Sequence, residues 1–154
     1  MSALNLPSFE TKTRKQNGKD YIFDRLRKQY VRLTPEEYVR QHFVNYLIEY
    51  KSFPESLLAN EMGISLANVK KRCDTIVYDR YLKPLVIIEY KSPTVAITQQ
   101  TFDQISRYNI VLQVPWLIVS NGLQHFCCLI NYADNTYRFE KEIPDYAFIS
   151  TYIS

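Results

Sequence analysis

Read by its hydrophobic pattern, the 154-residue chain switches between stretches of period two and stretches of helical period. Asn17-Gly18 is the strongest short hairpin signal, because both residues tolerate the positive φ that a tight primed turn demands. It lies between Phe9-Glu-Thr-Lys-Thr-Arg-Lys and Lys19-Asp-Tyr-Ile-Phe-Asp, so a polar β-hairpin over roughly 9–24 is predicted. Thr34-Pro35-Glu36-Glu37 then opens a helix, with Thr34 as N-cap, Pro35 in the first turn and Glu37 closing a capping box. The stripe Val39, Phe43, Tyr46/Leu47 and Tyr50 carries that helix to about Lys51. Residues 55–69 fit a strand or a short helix, and pairing with the segment that follows makes a strand the economical choice. Arg72 to Lys91, RCDTIVYDRYLKPLVIIEYK, reads as two strands. The first is rich in β-branched and aromatic residues from Cys73 to Asp79; Arg80 to Lys83 breaks the pattern. Pro84 then starts Leu85-Val86-Ile87-Ile88, apolar in every position, as expected of a strand covered on both faces. Ser92-Pro93 ends it. A second helix is predicted from about Thr98 to Leu112, with Phe102, Ile105, Tyr108 and Leu112 inward. Val114 to Ser120 reads as a buried strand, Asn121-Gly122 as a turn, Gln124 to Asn131 as the return strand. Asp134-Asn135 turns into a last strand near 136–140, and nothing is assigned from Pro144 onward.

That order, hairpin-α-β-β-β-α-β-β-β, implies an α/β (α+β) fold with a mixed sheet. The length suits a single globular unit with a substantial core. Its parts are a basic arm over 1–33 and the main body over 34–154. The arm holds eight Lys/Arg against three Asp/Glu, net +5, and the rest eleven against thirteen, net −2, which together make the overall +3. A basic arm on a near-neutral body fits contact with phosphates. Lys70-Lys71-Arg72 is a second basic cluster, fitting either a phosphate contact or a solvated charge run. Three cysteines, an odd number, and no secretory profile imply a reducing cytoplasm. No apolar run is long enough to span a membrane, and no Cys/His spacing suggests zinc. Thirteen tyrosines suit strands and half-wet surfaces.

The candidate chemistry sits where the apolar strand ends, at Glu89-Tyr90-Lys91. Alternation puts Glu89 and Lys91 on one face and Tyr90 on the other. Asp74 reaches the same mouth if the two strands pair as a hairpin. Two carboxylates bind a hard divalent cation through oxygen, and such a cation generates a nucleophilic water and stabilises phosphorane charge. Asp74, fourteen residues, then Glu89-Tyr90-Lys91 resembles the signature of the PD-(D/E)XK nuclease superfamily. Gln104-x-x-x-Tyr108, four apart on one helix face, resembles the motif of its RecB-like branch. LTPEEYVRQHFVNYLI, RCDTIVYD, PLVIIEYKSP, QISRY and PWLIVSNG, in that order from about Ile22 to Ile130, together resemble the N-terminal nuclease domain of type I restriction enzyme R subunits.

The resemblance implies a restriction-endonuclease-like αβββαβ core and Mg²⁺-dependent (or Mn²⁺-dependent) hydrolysis of DNA. Asp74 and Glu89 would be metal ligands, with the Tyr90 carbonyl a further contact. Lys91 would be the catalytic lysine, and Gln104 and Tyr108 the accessory pair. A helix glutamate, Glu36 or Glu37, would face the metal. The chain departs from the pattern at Cys73, where the superfamily carries Pro. No G-x-x-x-x-G-K-[ST] loop occurs, so no ATP-driven motor is expected within these residues. Expected partners are DNA, with a homodimer or other restriction-system subunits, and no membrane. The alternatives are a non-cleaving DNA-binding or assembly subunit that keeps the fold, and a protein-interaction module using the tyrosine-rich surface.

Overall fold

The computed structural model describes residues 3–66 and 68–151. Two sheets make up its strands. The smaller is antiparallel, in the order β1 (Thr13–Gln16), β2 (Lys19–Asp24), β3 (Gln29–Arg32). Asn17 and Gly18 both take positive φ, 54° and 74°, so the hairpin closes at the predicted turn. It carries a third strand that the sequence reading did not separate. Asp24 makes the second turn possible: its Oδ1 accepts the backbone N–H groups of Leu26 and Arg27.

The larger sheet has the order β4 (Leu58–Leu66), β5 (Val69–Tyr78), β6 (Pro84–Tyr90), β7 (Trp116–Ser120), β8 (His125–Asn131), β9 (Thr136–Glu140). Only β6 and β7 are parallel, and α2 (Gln99–Leu112) makes the crossover between them. The sheet is therefore mixed, as expected. Helix α1 (Pro35–Tyr50) covers one face. Val39, Phe43, Val44 and Leu47 pack there on Val77, Val86, Ile88, Tyr90 and Trp116. Helix α2 covers the other, where Phe102 and Leu112 meet Ile76, Ile87, Leu117 and Val119. β6 lies between both cores, which is why Leu85 to Ile88 are apolar throughout and at most 1% exposed. Fully burying each such side chain contributes roughly 1.5–3 kcal/mol.

Three details differ from expectation. Thr34 caps α1, its hydroxyl accepting the Glu37 N–H at 3.1 Å, but Glu37 does not reach back to complete a box. Its carboxylate is taken by Arg27, Arg40 and Gln41. Tyr50 and Tyr108 stand exposed rather than inward, and Ser106 and Asn109 take buried places on α2 instead. A short helix α3 (Tyr146–Ser150) follows Pro144 and sends Ile149 into the α1-side core. No described helix is long and apolar enough to cross a membrane.

Candidate functional site

β5 and β6 pair in register Thr75↔Ile88, Ile76↔Ile87, Val77↔Val86. One further step sets Asp74 opposite Glu89, and there the ladder gives way to side chains. The Tyr90 N–H donates to Asp74 Oδ2 at 2.9 Å, and the Asp74 carbonyl accepts from Arg40 Nη1 at 2.7 Å. The faces also change at this point. Val77 packs under α1 and Ile76 under α2, so strict alternation would return Cys73 to the α1 side, yet Cys73 lies in the α2 core. Opposite Asp74 on β4, Glu61 adopts a left-handed φ of 60°, and Ile64 beyond it also joins the α2 side. Both strands switch faces together, and Asp74 marks the switch.

The switch brings a lysine to the acids. Lys71 Nζ lies 3.0 Å from Glu89 Oε1 and 5.0 Å over the Tyr108 ring. Apart from this ion pair, Glu89 Oε1 has no hydrogen-bond partner. Glu89 is only 8% exposed. Burial first, then the neighbouring Asp74 charge, pushes its carboxyl up to about 8, while Lys71 pulls the other way. For Lys71 itself, burial pulls its ammonium down but the Glu89 carboxylate more than offsets it, so it titrates above the ordinary lysine value. Lys91 is half-buried, with its backbone N–H on the Ser120 carbonyl. Among the described residues its ammonium has no ion-pair partner.

Asp74, Glu89, Tyr90 and Lys91 line a cavity of about 380 Å³ whose other wall is the start of α1, including Thr34, Glu36 and Arg40. A wider depression of about 770 Å³ lies between β9 and α3, but none of its charged side chains is buried. Perturbed titration in a cleft, rather than size, selects the site.

A buried polar network holds the wall. Arg40 donates to both oxygens of Glu37 (2.7 and 2.9 Å), to Glu61 (2.8 Å) and to the Asp74 carbonyl. Arg27 joins Glu37 to Asp24. Asn60 then links Asp24 to Thr75, whose hydroxyl accepts from Tyr90. Burial would raise the Glu37 and Asp24 carboxyls, but Arg40 and Gln41 around the first, and Arg27 and Asn60 around the second, bring both below their ordinary values. With every Glu37 oxygen engaged, Glu37 is a framework carboxylate. Glu36 is exposed on the cavity rim.

Of the residues singled out by sequence, Asp74, Glu89, Tyr90 and Lys91 meet at one strand end. Tyr108 joins them through Lys71, whereas Gln104, one turn earlier, is exposed and makes no hydrogen bond among the described residues. Lys71, Arg40 and Glu61 are the members that sequence reasoning missed as site residues.

No three His, Cys, Asp or Glu side chains among the described residues form a metal cluster. The carboxylates available are the Asp74–Glu89 pair, all-oxygen, with one buried oxygen lacking a hydrogen bond. That donor set fits a hard cation that keeps several waters, as Mg²⁺ does when held by one or two carboxylates.

Comparison with known proteins bears on the same residues. A family model described as type I restriction enzyme R protein N terminus (HSDR_N) matches residues 35–144. The fragment structure of a protein described as an HsdR subunit of a type I restriction enzyme from Vibrio vulnificus YJ016 superposes with a TM-score of 0.51 at 16% identity. The match covers 73% of this chain and 24% of that one, so the chain spans about a quarter of its length. At that identity the likeness speaks for the fold alone. No curated protein matches the chain.

Proposed function

The chain belongs to the type I restriction enzyme R protein N-terminal family, and on that premise we propose that it is a Mg²⁺-dependent nuclease domain hydrolysing DNA phosphodiester bonds. The observation that carries the reading is the apposition of Asp74 and Glu89 at the end of the β5–β6 ladder, with Glu89 buried beside that second acid. A charge cluster of this kind is poised for a cation. Asp74, Glu89 and the Tyr90 carbonyl would hold Mg²⁺ or Mn²⁺, which supplies an activated water and neutralises phosphate charge when bound. The Tyr90 N–H fixes one Asp74 oxygen, and Arg40 fixes the Asp74 backbone. Lys91, with no ion-pair partner among the described residues, presents an ammonium that donates hydrogen bonds to a water or a phosphate oxygen and cannot ligate a metal while protonated. Tyr108 holds Lys71 beside Glu89, and Gln104 borders the same helix face. Glu36 is the rim carboxylate nearest in role to a helix acid. A homodimer or a partner subunit would supply the second site that a double-strand break needs.

Titrating Mg²⁺ or Mn²⁺ into plasmid and single-stranded DNA with this protein tests the reading, and no cleavage at any metal concentration would refute it. Within it, Lys91→Ala is expected to lower turnover by about 10²–10⁴-fold, with metal affinity by calorimetry little changed. Lys71→Met is expected to tighten metal binding, because it removes the ammonium that competes for Glu89. Weaker metal binding in Lys71→Met would count against the site.

One observation favours a second reading, a non-cleaving DNA-binding or assembly subunit: a lysine already neutralises Glu89. Under that reading Lys71→Met binds metal no better and neither protein cuts.

DNA contact should depend steeply on salt, because counterion release drives phosphate binding. Arg25 and Arg27 are held in ion pairs, the first with the exposed Glu49 and Glu55 and the second with the buried Asp24 and Glu37. Among the exposed cations left, Lys12 and Arg14 face outward and Lys15 lies 3.8 Å from Asp20. Charge reversal of these three to Glu should weaken binding to all sequences and flatten the plot of log affinity against log salt. An unchanged slope would remove the basic arm from the interface.

A further inference from the structure

The small N-terminal sheet has two unlike faces. Register pairs Thr13 with Ile22 and Ile22 with Val31, so these residues share one face. That face turns inward, since Ile22 is 1% exposed and Asp24, two residues on, is fully buried. The opposite face carries Arg14, Tyr21 and Arg32 in one cross-strand row and Phe23 and Tyr30 in the next. Lys12 adjoins the second row, its carbonyl accepting the Phe23 N–H. Lys19 extends the face along β2.

Each ring on this outward face lies under a cation. Arg14 stacks 4.0 Å over Tyr30, Lys12 stands 5.4 Å over Phe23, and Arg32 stands 5.9 Å over Tyr21. The rings are half-buried and the cations exposed. Cross-strand contacts of this sort stabilise a small sheet. They do not require the second property of the face: no acidic residue among those described stands on these strands' outward positions. Asp20 and Asp24 both alternate to the other side. An unbalanced cationic surface floored with aromatic rings is complementary to a polyanion whose units carry π faces.

We propose that this face binds single-stranded DNA, with Lys12, Arg14 and Arg32 turning off the rings to join Lys19 on the phosphates and bases stacking on the rings so uncovered. A duplex could use only the cations, because its bases are already stacked on one another. A single strand can use both, and base–ring stacking tolerates any sequence. Width agrees: three strands span about 10 Å, enough for one extended strand. So does position. β3 ends at Arg32, and Thr34, two residues on, lines the cavity of the acid pair. A strand lying across the face is thereby led towards Asp74 and Glu89. The proposal names the substrate form for the nuclease reading and rests on that reading for the strand's destination, though not for binding.

The test is fluorescence anisotropy in EDTA, using a labelled mixed-sequence oligonucleotide about 16 nucleotides long, the upper site size of a small binding fold, against its own duplex. The single strand is expected to bind more tightly. Tyr21→Leu should weaken single-strand binding about tenfold while leaving duplex binding nearly unchanged. As Tyr21→Leu could loosen the small sheet, wild-type protein is also photocrosslinked to the same oligonucleotide carrying 5-iodouracil, with mass mapping. Crosslinks in the peptides of Tyr21, Phe23 or Tyr30 support the face. Equal affinity for strand and duplex, or crosslinks only elsewhere, overturns it. Plasmid cleavage in Mg²⁺ is scored separately. Single-strand binding without cutting keeps the face and removes the nuclease reading, and cutting without single-strand preference does the reverse.

Discussion

The metal-free Glu89→Gln protein is expected to melt above the parent at pH 8 and to have lost all divalent-cation-dependent DNA cleavage. Both outcomes have one cause. In the folded chain Glu89 is buried beside Asp74, and its carboxyl is pushed from an ordinary 4.5 up to about 8. Between those values the folded state holds a proton that the unfolded state releases, so stability falls as pH rises through that window. Glutamine keeps the shape and cannot ionise, which removes the penalty. Every tenfold difference in proton affinity between the two states corresponds to about 1.4 kcal/mol, so the gain at pH 8 is on the order of a few kcal/mol. For a domain of this size each kcal/mol moves Tm by about 2–4 °C. Thermal melts of both proteins in EDTA, from about pH 5 to pH 8, check the sign. A parent curve that is flat, or that rises with pH, would show that Glu89 is ionised without cost. Cleavage should drop to the protein-free background because one of two carboxylates for the cation is gone. Asp74→Ala should act alike on cleavage.

Arg40→Met should be the most destabilising single change near the site, by about 3–5 kcal/mol, because it removes one partner from a buried charge network. The Arg40 side chain is 8% exposed and serves Glu37, Glu61 and the Asp74 carbonyl at once. Without it Glu37 keeps Arg27 and Gln41 but loses its two-pronged contact, and the Asp74 backbone loses its tether. Arg40→Lys should rescue little, since a point ammonium cannot reproduce the planar fork. Denaturant midpoints with an unchanged slope are the measurement. A loss below about 1 kcal/mol, the level of a surface pair, would mean that the network is not what positions Asp74. Glu37 and Asp24 also set an acid limit. Their carboxyls are depressed in the fold, so the stability they contribute is present above their ordinary values of 4.5 and 3.8 and is lost as pH falls below them. Opposite slopes from these groups and from Glu89 place the metal-free maximum in mildly acid solution.

Much of this was legible in the sequence because local signals agreed with one another. Asn17-Gly18, Thr34-Pro35 and the unbroken Leu85 to Ile88 run each fix an element without help from the rest of the chain. The acid pair was legible because both residues lie on one hairpin, where register follows from the turn. Lys71 was not, and the reason is specific. Strict alternation from Asp74 selects Arg72 and Lys70, and only the change of face at Glu61 and Asp74 delivers Lys71 to Glu89. Nothing in a period-two pattern announces a left-handed glutamate. Arg40 was hidden differently: on a helical wheel it is one polar residue among several, and its worth comes from partners 21 and 34 positions away in sequence. Glu37 illustrates the converse, a plausible cap and a plausible ligand whose oxygens are claimed by Arg40 of its own helix and by Arg27 from the β2–β3 turn.

The change of face in the β4–β5 ribbon has a consequence for how this domain can vary over generations. Outboard of Glu61 and Asp74 the ribbon pairs on in the same register, as far as Leu66, and among the described residues its ion pair to the two acids is made by Lys71. Matched additions of two residues beyond Leu66 would lengthen the ribbon and preserve its inside and outside. A single insertion between Cys73 and Thr75 would turn Lys71 to the wrong side of the ribbon, and one between Asn60 and Gly63 would break the matching switch in β4. Natural length differences are thus expected to gather at the ribbon's tip, in pairs, and to be missing from its waist. The waist is a fixed joint; the tip is where this lineage is free to experiment.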